Sequence, residues 1–452
     1  MLRKVPLVAL LALTGCGART GLRLPDVASA TTTDAARDAA DAPDAPRPTE
    51  LCVDLDPAAG LVTVAIDTRP TVSVADVLFL IDHTGSMDGE IDNIKANLQA
   101  TIVPAIAQSI ADVQFGVATY SDFPLAAPNG IAYGDPGDIP FTLVTPIERG
   151  VANVQGAVDG ITTGGGGDNP EAMVEALYQV ATGEGYAPWI TARAPCATPG
   201  RLGFACLRPN AQSIIVLITD APAHNGPFGS NAYVPSSFLT PSNCPLDRPG
   251  CAAARPPHAY ADAVAALARI NARVIGINSG VEPYSGRSDL AHLATDTGAV
   301  AASGAPLVFD ISADGNGLDT RVVTAIQTFT QQVRFDASAR IVDLDAAHPV
   351  TPFVRAVRPL SADPSTNVTR TDATTFYGVV PGTRLTFGLD LQATIPRMAA
   401  PQRFPARVQF YGNGRPNLGS QDLVVVIPGL DGTGCHAAPD GGAATLDGGT
   451  LD

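Results

Sequence analysis

Positive charge is scarce in this sequence. Lys and Arg number 28 against 44 Asp and Glu, a formal net charge of −16. A chain of that sign repels a phosphate backbone, which excludes nucleic acid as a partner and favours fixed cations. Catalytic signatures are missing as well. The chain has no G-x-S-x-G, no H-E-x-x-H and no G-x-x-x-x-G-K, and its histidines are scattered: His83, His224, His258, His292, His348 and His436. A nucleophile elbow, a zincin helix and a Walker-type ATPase are thereby set aside. C-x-x-C is also absent, which argues against a zinc cluster. Past the N-terminus no apolar run reaches the roughly 20 residues that a spanning helix needs.

What the sequence does hold is enough for two or three domains: 452 residues, 45% of them hydrophobic, with 44 Gly and 39 Pro marking many loops. The N-terminus "MLRKVPLVALLALTGC" has a basic start and a short apolar core, the arrangement of an export signal. Its "LTGC" ending resembles a bacterial lipobox, in which Cys16 is lipidated and becomes the new N-terminus. Gly17 follows, which by the same resemblance favours the outer membrane or cell surface over inner-membrane retention. Residues 17–50 repeat Ala, Asp, Thr and Pro and carry too little apolar surface to offset backbone ordering, so a disordered tether is expected. The same holds for the tail, residues 436–452.

Setting Cys16 aside, the other cysteines are Cys52, Cys196, Cys206, Cys244, Cys251 and Cys435. An even set in an exported chain points to disulfides, with free thiols as the alternative. Cys196–Cys206 and Cys244–Cys251 are the natural local pairs, leaving Cys52–Cys435 to bracket the folded part.

Between residues 76 and 334 strands and helices alternate. "ADVLFLID", "VQFGVATY", "FTLVTPI", "SIIVLITD" and "ARVIGINSG" read as strands, most of them apolar on both faces. The segments between them carry helical spacing, with Pro104 kinking or dividing the first helix. This predicts an α/β doubly wound (Rossmann-like) domain covered on both faces, whose ligands bind beyond the carboxyl ends of the strands. Asp82 ends one apolar strand and Asp220 another. Glu171 joins them from "TTGGGGDNPEAM", where Asn169 is expected to cap a helix and the Gly run lets the backbone approach the rim. Three carboxylates on one rim repel, by about 4 kcal/mol per pair at ~4 Å and an effective dielectric of ~20. A divalent cation reverses that sign. With the hydroxyls of Thr84 and Ser86, the donor set is all oxygen and suits Mg²⁺, Mn²⁺ or Ca²⁺.

At these residues the chain resembles the von Willebrand factor type A family, over residues 74–333. "DHTGSM" is similar to its D-x-S/T-x-S motif, "DNPEA" to the Asp-x-Pro-Glu segment of the integrin β version, and "LITDAP" to its last metal-linked Asp. The resemblance implies Asp82, Thr84, Ser86, Glu171 and Asp220 as ligands of one Mg²⁺-class ion. Most type A domains place a Thr where this chain has Glu171; Thr162 and Thr163 lie upstream as alternatives. Integrin β domains carry two further cation sites. Asp168 and the carbonyl of Pro170 match ligands of one, and Asp88 and Glu90 have spacing similar to the other. His83 is expected to point away from the metal.

The loop after Asp220 is long and offers Phe228, Tyr233 and Phe238 as aromatic anchors for a partner. From residue 335 to 435 short β segments separated by Gly and Pro predict a small antiparallel β-sandwich. A strand within residues 51–75 is expected to belong to it, making the type A domain an insertion. The expected function is non-catalytic binding of a protein or other acidic ligand, which supplies a carboxylate to the metal. The alternatives are a metal-assisted hydrolase, or a scaffold subunit of an envelope complex.

Overall fold

The computed structural model describes residues 51–238 and 256–435. The export signal, the tether, the Cys244–Cys251 pair and the tail lie outside the described residues. Among the described residues no helix is long and apolar enough to cross a membrane.

The chain opens with β1 (Leu51–Asp54) and β2 (Leu61–Thr68). An α/β unit follows: β3 (Val74–Asp82), α1 (Asp88–Asn97), α2 (Val103–Ser109), β4 (Asp112–Tyr120), β5 (Thr142–Glu148), α3 (Val151–Asp159), α4 (Met173–Thr182), β6 (Gln212–Thr219), α5 (Tyr260–Arg269), β7 (Ala272–Asn278), α6 (Arg287–Asp296), β8 (Val308–Asp310) and α7 (Leu318–Gln332). A second β region then runs through β9 (Phe335–Asp343), β10 (Val354–Asp363), β11 (Arg370–Thr371), β12 (Thr375–Val379), β13 (Arg384–Gln392), β14 (Gln402–Gly412) and β15 (Ser420–Ile427).

The α/β unit holds one sheet in the order β5-β4-β3-β6-β7-β8. All neighbours are parallel except the edge strand β5. Alternate side chains of β3 enter different apolar layers: Leu78 and Leu80 pack with α4 and α5, while Val77, Phe79 and Ile81 pack with α1, α2 and α7. This is why β3 and β6 are apolar without alternation. The chain winds from β3 to β4 on one side and later to β6 on the other. The connections leaving β3 and β6 therefore start side by side at the same end of the sheet and run to opposite faces.

The first helix is divided by a π turn at residues 98–102, and Pro104 falls in the first turn of α2, where its missing N–H is tolerated. Asn169 does not cap α4. That helix starts three residues beyond Pro170, at Met173, and Asn169 Nδ2 instead donates to the Tyr284 carbonyl at 3.3 Å.

The β region forms two sheets, β1-β15-β14-β9-β12-β11 and β10-β13-β2, around Phe335, Phe353, Phe376, Phe387 and Phe410. It is not purely antiparallel, because β1 runs parallel to β15. β2 pairs with β13 along its whole length, Leu61 opposite Gln392 through Thr68 opposite Leu385. Both strands that precede the α/β unit thus lie in the sheets formed after it. Cys52 and Cys435 are joined, with Cα atoms 5.6 Å apart, and Cys196 and Cys206 likewise at 5.8 Å.

At the end of the sheet away from Asp82, Arg208 is buried. Its Nε meets Asp76 Oδ1 at 2.7 Å, Nη1 meets Asp112 Oδ1 at 2.8 Å, and Nη2 donates to the Ala75 carbonyl. It ties the starts of β3 and β4 together. Arg208→Met takes the guanidinium from the buried Asp76, leaving it only the N–H of residue 208, and is expected to destabilise the protein by about 3–5 kcal/mol. Urea unfolding checks this, and Arg208→Met combined with Asp76→Leu should recover much of the loss.

Candidate cation-binding rim

Asp82 is fully buried at the end of β3. Its Oδ1 accepts from the Thr84 N–H at 3.0 Å and the Thr84 hydroxyl at 2.7 Å, and its Oδ2 accepts from the Thr219 hydroxyl at 2.7 Å. The chain then makes a short turn, Gly85–Met87, on which Ser86 is exposed. Asp220 stands one residue past β6, half-buried, with its Oδ1 sealed from solvent and unpartnered.

Glu171 is positioned by its backbone. Its N–H donates to the Pro222 carbonyl at 2.9 Å, and its carbonyl accepts from the His224 N–H at 2.8 Å, so the segment before α4 is zipped onto the segment after β6. Its side chain is buried and Oε2 has no hydrogen-bond partner. The glycine run makes this approach possible. Gly164 donates to the His83 carbonyl and Gly165 accepts from the Gly85 N–H. Gly166 has φ +88°, and a Cβ there would lie 3.3 Å from both Glu171 Oε1 and Thr84 Cβ.

The electrostatics express one shortage. Burial, then Asp220, pushes Asp82 up to about 7. Burial, then Asp82, Asp122, Asp138 and Asp168, pushes Glu171 up to about 12. Buried carboxylates with raised pKa and unpartnered oxygens lack a positive charge. The donor set of Asp82, Thr84, Ser86, Glu171 and Asp220 fits a hard divalent cation in its chemistry. The three carboxylates are not drawn to one point, since their oxygens do not all fall within 4.8 Å of one another. Water would have to bridge part of the shell.

The accessory residues divide. Asp88 accepts from the Thr163 hydroxyl. Glu90 is buried, faces Ser279, Asp220 and Asp314, and is raised chiefly by its burial, with its Oε2 unpartnered. Asp168 lies 3.1 Å from His224 Nε2, and Asp122 Oδ2 lies 3.3 Å from the same nitrogen. Asp122, Asp168 and His224 are the group of acidic and histidine side chains whose ligand atoms come within 4.8 Å of one another among the described residues. His83 is half-buried and its pKa is lowered by burial.

Sequence reasoning missed Thr219 and Asp122 as parts of the rim; His224, in the loop that leaves it, is the one histidine expected nearby, without a role. Asp122 follows the end of β4 by two residues in "ATYSD", close to the pattern that singles out Asp82 and Asp220 at the ends of β3 and β6. Of the three aromatics expected to face a partner, Tyr233 and Phe238 are buried against Phe123. Phe228 alone of the three is exposed, at 94%, held in a left-handed conformation with φ +57°.

No family model matches the chain. The alpha-protein kinase vwkA of Dictyostelium discoideum is 26% identical over 160 residues, 35% of this chain and 20% of that protein; the chain thus spans a fifth of that curated relative's length. Among solved structures, a von Willebrand factor type A protein from Catenulispora acidiphila covers 84% of this chain and 72% of its own, at 15% identity and TM-score 0.35. The pilus adhesin SpaC from Lactobacillus rhamnosus GG, in its open conformation, covers 81% and 45%, at 10% identity and TM-score 0.32.

The raised carboxylates predict a pH dependence. A carboxyl whose folded pKa exceeds its unfolded value binds more protons when folded, so stability falls as pH rises between the two values. For Asp82 that window runs from the ordinary Asp range to about 7, and for Glu171 it extends higher. In chelator the melting temperature is expected to fall from about pH 5 to about pH 7, and saturating Mg²⁺ should flatten the slope. Thermal scans with EDTA and with Mg²⁺ at each pH check this; equal slopes would count against a cation at the rim.

Proposed function

We propose that the α/β unit is a doubly wound type A domain of the adhesion kind, and that its rim binds a divalent cation and, through it, an acidic protein ligand. The observation that carries this reading is the set of buried, unpartnered oxygens on Glu171 and Asp220 around the fully buried Asp82. Asp82, Thr84, Ser86, Glu171 and Asp220 would hold Mg²⁺, or Mn²⁺ or Ca²⁺. The ion's chemistry here is Lewis acidity toward a carboxylate oxygen of the partner. The protein's part is to fix the oxygens before the partner arrives. Thr84 and Thr219 lock the Asp82 carboxylate, and the Pro222–Glu171–His224 backbone bonds hold the glutamate in register. No bond in the partner is broken in this reading, and the protein is not an enzyme.

The sandwich on this reading carries the binding domain as an insertion between β2 and β9. The chain is anchored by a lipid on Cys16, and residues 17–50 space it from the outer membrane or cell surface.

Two outcomes are expected. Immobilised protein should retain envelope proteins in Mg²⁺ and release them in EDTA, while Asp82→Ala retains none; EDTA-insensitive retention would contradict metal-dependent binding. Cys16→Ser should abolish incorporation of labelled lipid and leave the export signal uncleaved, and normal processing of that variant would refute the anchor.

A further inference from the structure

The family resemblance implies Asp168 as a ligand of a second cation site. In this chain its Oδ1 stands 3.1 Å from a ring nitrogen, His224 Nε2. We infer that Asp122, Asp168 and His224 form a separate site with a mixed nitrogen and oxygen donor set, fitted to a first-row transition metal of the zinc class and not to magnesium or calcium.

The tautomer comes first. His224 Nδ1 lies 2.6 Å from the Asn231 carbonyl, which can only accept, so Nδ1 carries a proton. Nε2 then faces the two carboxylates, 3.1 Å from Asp168 Oδ1 and 3.3 Å from Asp122 Oδ2. A histidine that donates one ring N–H to a carbonyl and turns the other nitrogen inward has the arrangement of a metal ligand.

Asp122 supplies the independent observation. It is fully buried, and its Oδ1 is satisfied by the Phe123 N–H at 2.6 Å and by the Tyr233 hydroxyl. Its Oδ2 has no hydrogen-bond partner, although it stands close to Nε2. One Nε2–H, directed at Asp168, leaves Asp122 Oδ2 unserved. A single ion among the three atoms serves all of them. The two separations from Nε2 suit this, because ligands about 2.0–2.1 Å from a tetrahedral ion stand about 3.3 Å apart, and the two carboxylate oxygens lie within 4.8 Å of each other.

The donor types decide the metal. One imidazole nitrogen with two carboxylates favours Zn²⁺ and its first-row neighbours over Mg²⁺ and Ca²⁺, which seek oxygen. The ring is fixed by stacking on Tyr233, centroids 4.1 Å apart, and by the edge of Tyr133 at 5.2 Å. The Asp168 side chain is partly exposed at 22%, so the open side of the site faces solvent and can take water or a donor from a partner.

The test uses Co²⁺ as the probe. The full chain, stripped with chelator and held in saturating Mg²⁺, is titrated with Co²⁺ while visible absorption is recorded. The expected result is one equivalent of Co²⁺ with d–d bands, displaced by one equivalent of Zn²⁺ and not by excess Ca²⁺. His224→Gln should weaken Co²⁺ binding by at least about 10–100-fold, the loss that disturbing even an outer-shell partner produces. Asp82→Ala should leave the bands unchanged, which separates this site from the rim cation. Should His224→Gln fail to fold, Asp168→Asn, on a partly exposed loop, must give the same loss. Absence of bands in the unaltered protein would overturn the inference and leave His224 as a protonated partner of the two carboxylates. Bands that Asp82→Ala removes and His224→Gln keeps would overturn it equally.

Discussion

Repulsion between carboxylates gathered at one end of a sheet is the constraint on which the rest of this structure depends. Two such charges about 4 Å apart oppose each other by ~4 kcal/mol even at an effective dielectric of ~20. Here Asp82, Glu171 and Asp122 are buried beside Asp220, Asp168 and Asp138. A fold that concentrates this much like charge needs a fixed cation, protonation, or both. The raised values of Asp82 and Glu171 are what protonation alone would demand.

Much local structure serves to hold that arrangement. Left-handed glycines thread onto the loop after β3, and the segment around Glu171 pairs like a strand with the segment after β6. Each backbone bond removes freedom that the carboxylates would otherwise use to spread apart. The opposite end of the sheet is finished differently. There Arg208 satisfies Asp76 and Asp112 with its own charge. The sandwich closes the architecture by joining segments from both ends of the folded chain, β1 on β15 and β2 on β13, beside the Cys52–Cys435 bridge.

The legible parts were those set by one-dimensional pattern. Continuous apolar runs marked β3 and β6 as central strands, and the Asp at the end of each was visible because a charge there interrupts the run. Tyr233 and Phe238 were misjudged because an aromatic in a long loop has no periodicity to show that the loop folds back on the core. Asn169 was misjudged because its position before a Pro and a helical pattern suits a cap, whereas tertiary pairing of Glu171 delayed the helix to Met173. His224 and Asp122 stand 102 residues apart in sequence, and only the pairing of strands brings them to one place. The parallel run of β1 with β15 likewise depends on where the returning chain re-enters, which no local signal encodes.

The central claim is that the rim is built around a divalent cation. Titration calorimetry of Mg²⁺, and of Mn²⁺ as a tighter probe, into chelator-treated full chain tests it most directly. The account predicts saturable binding in the unaltered protein and a large loss in Asp220→Ala with the fold intact by circular dichroism. Binding of equal tightness in the two proteins, or no saturable heat in either, would contradict it.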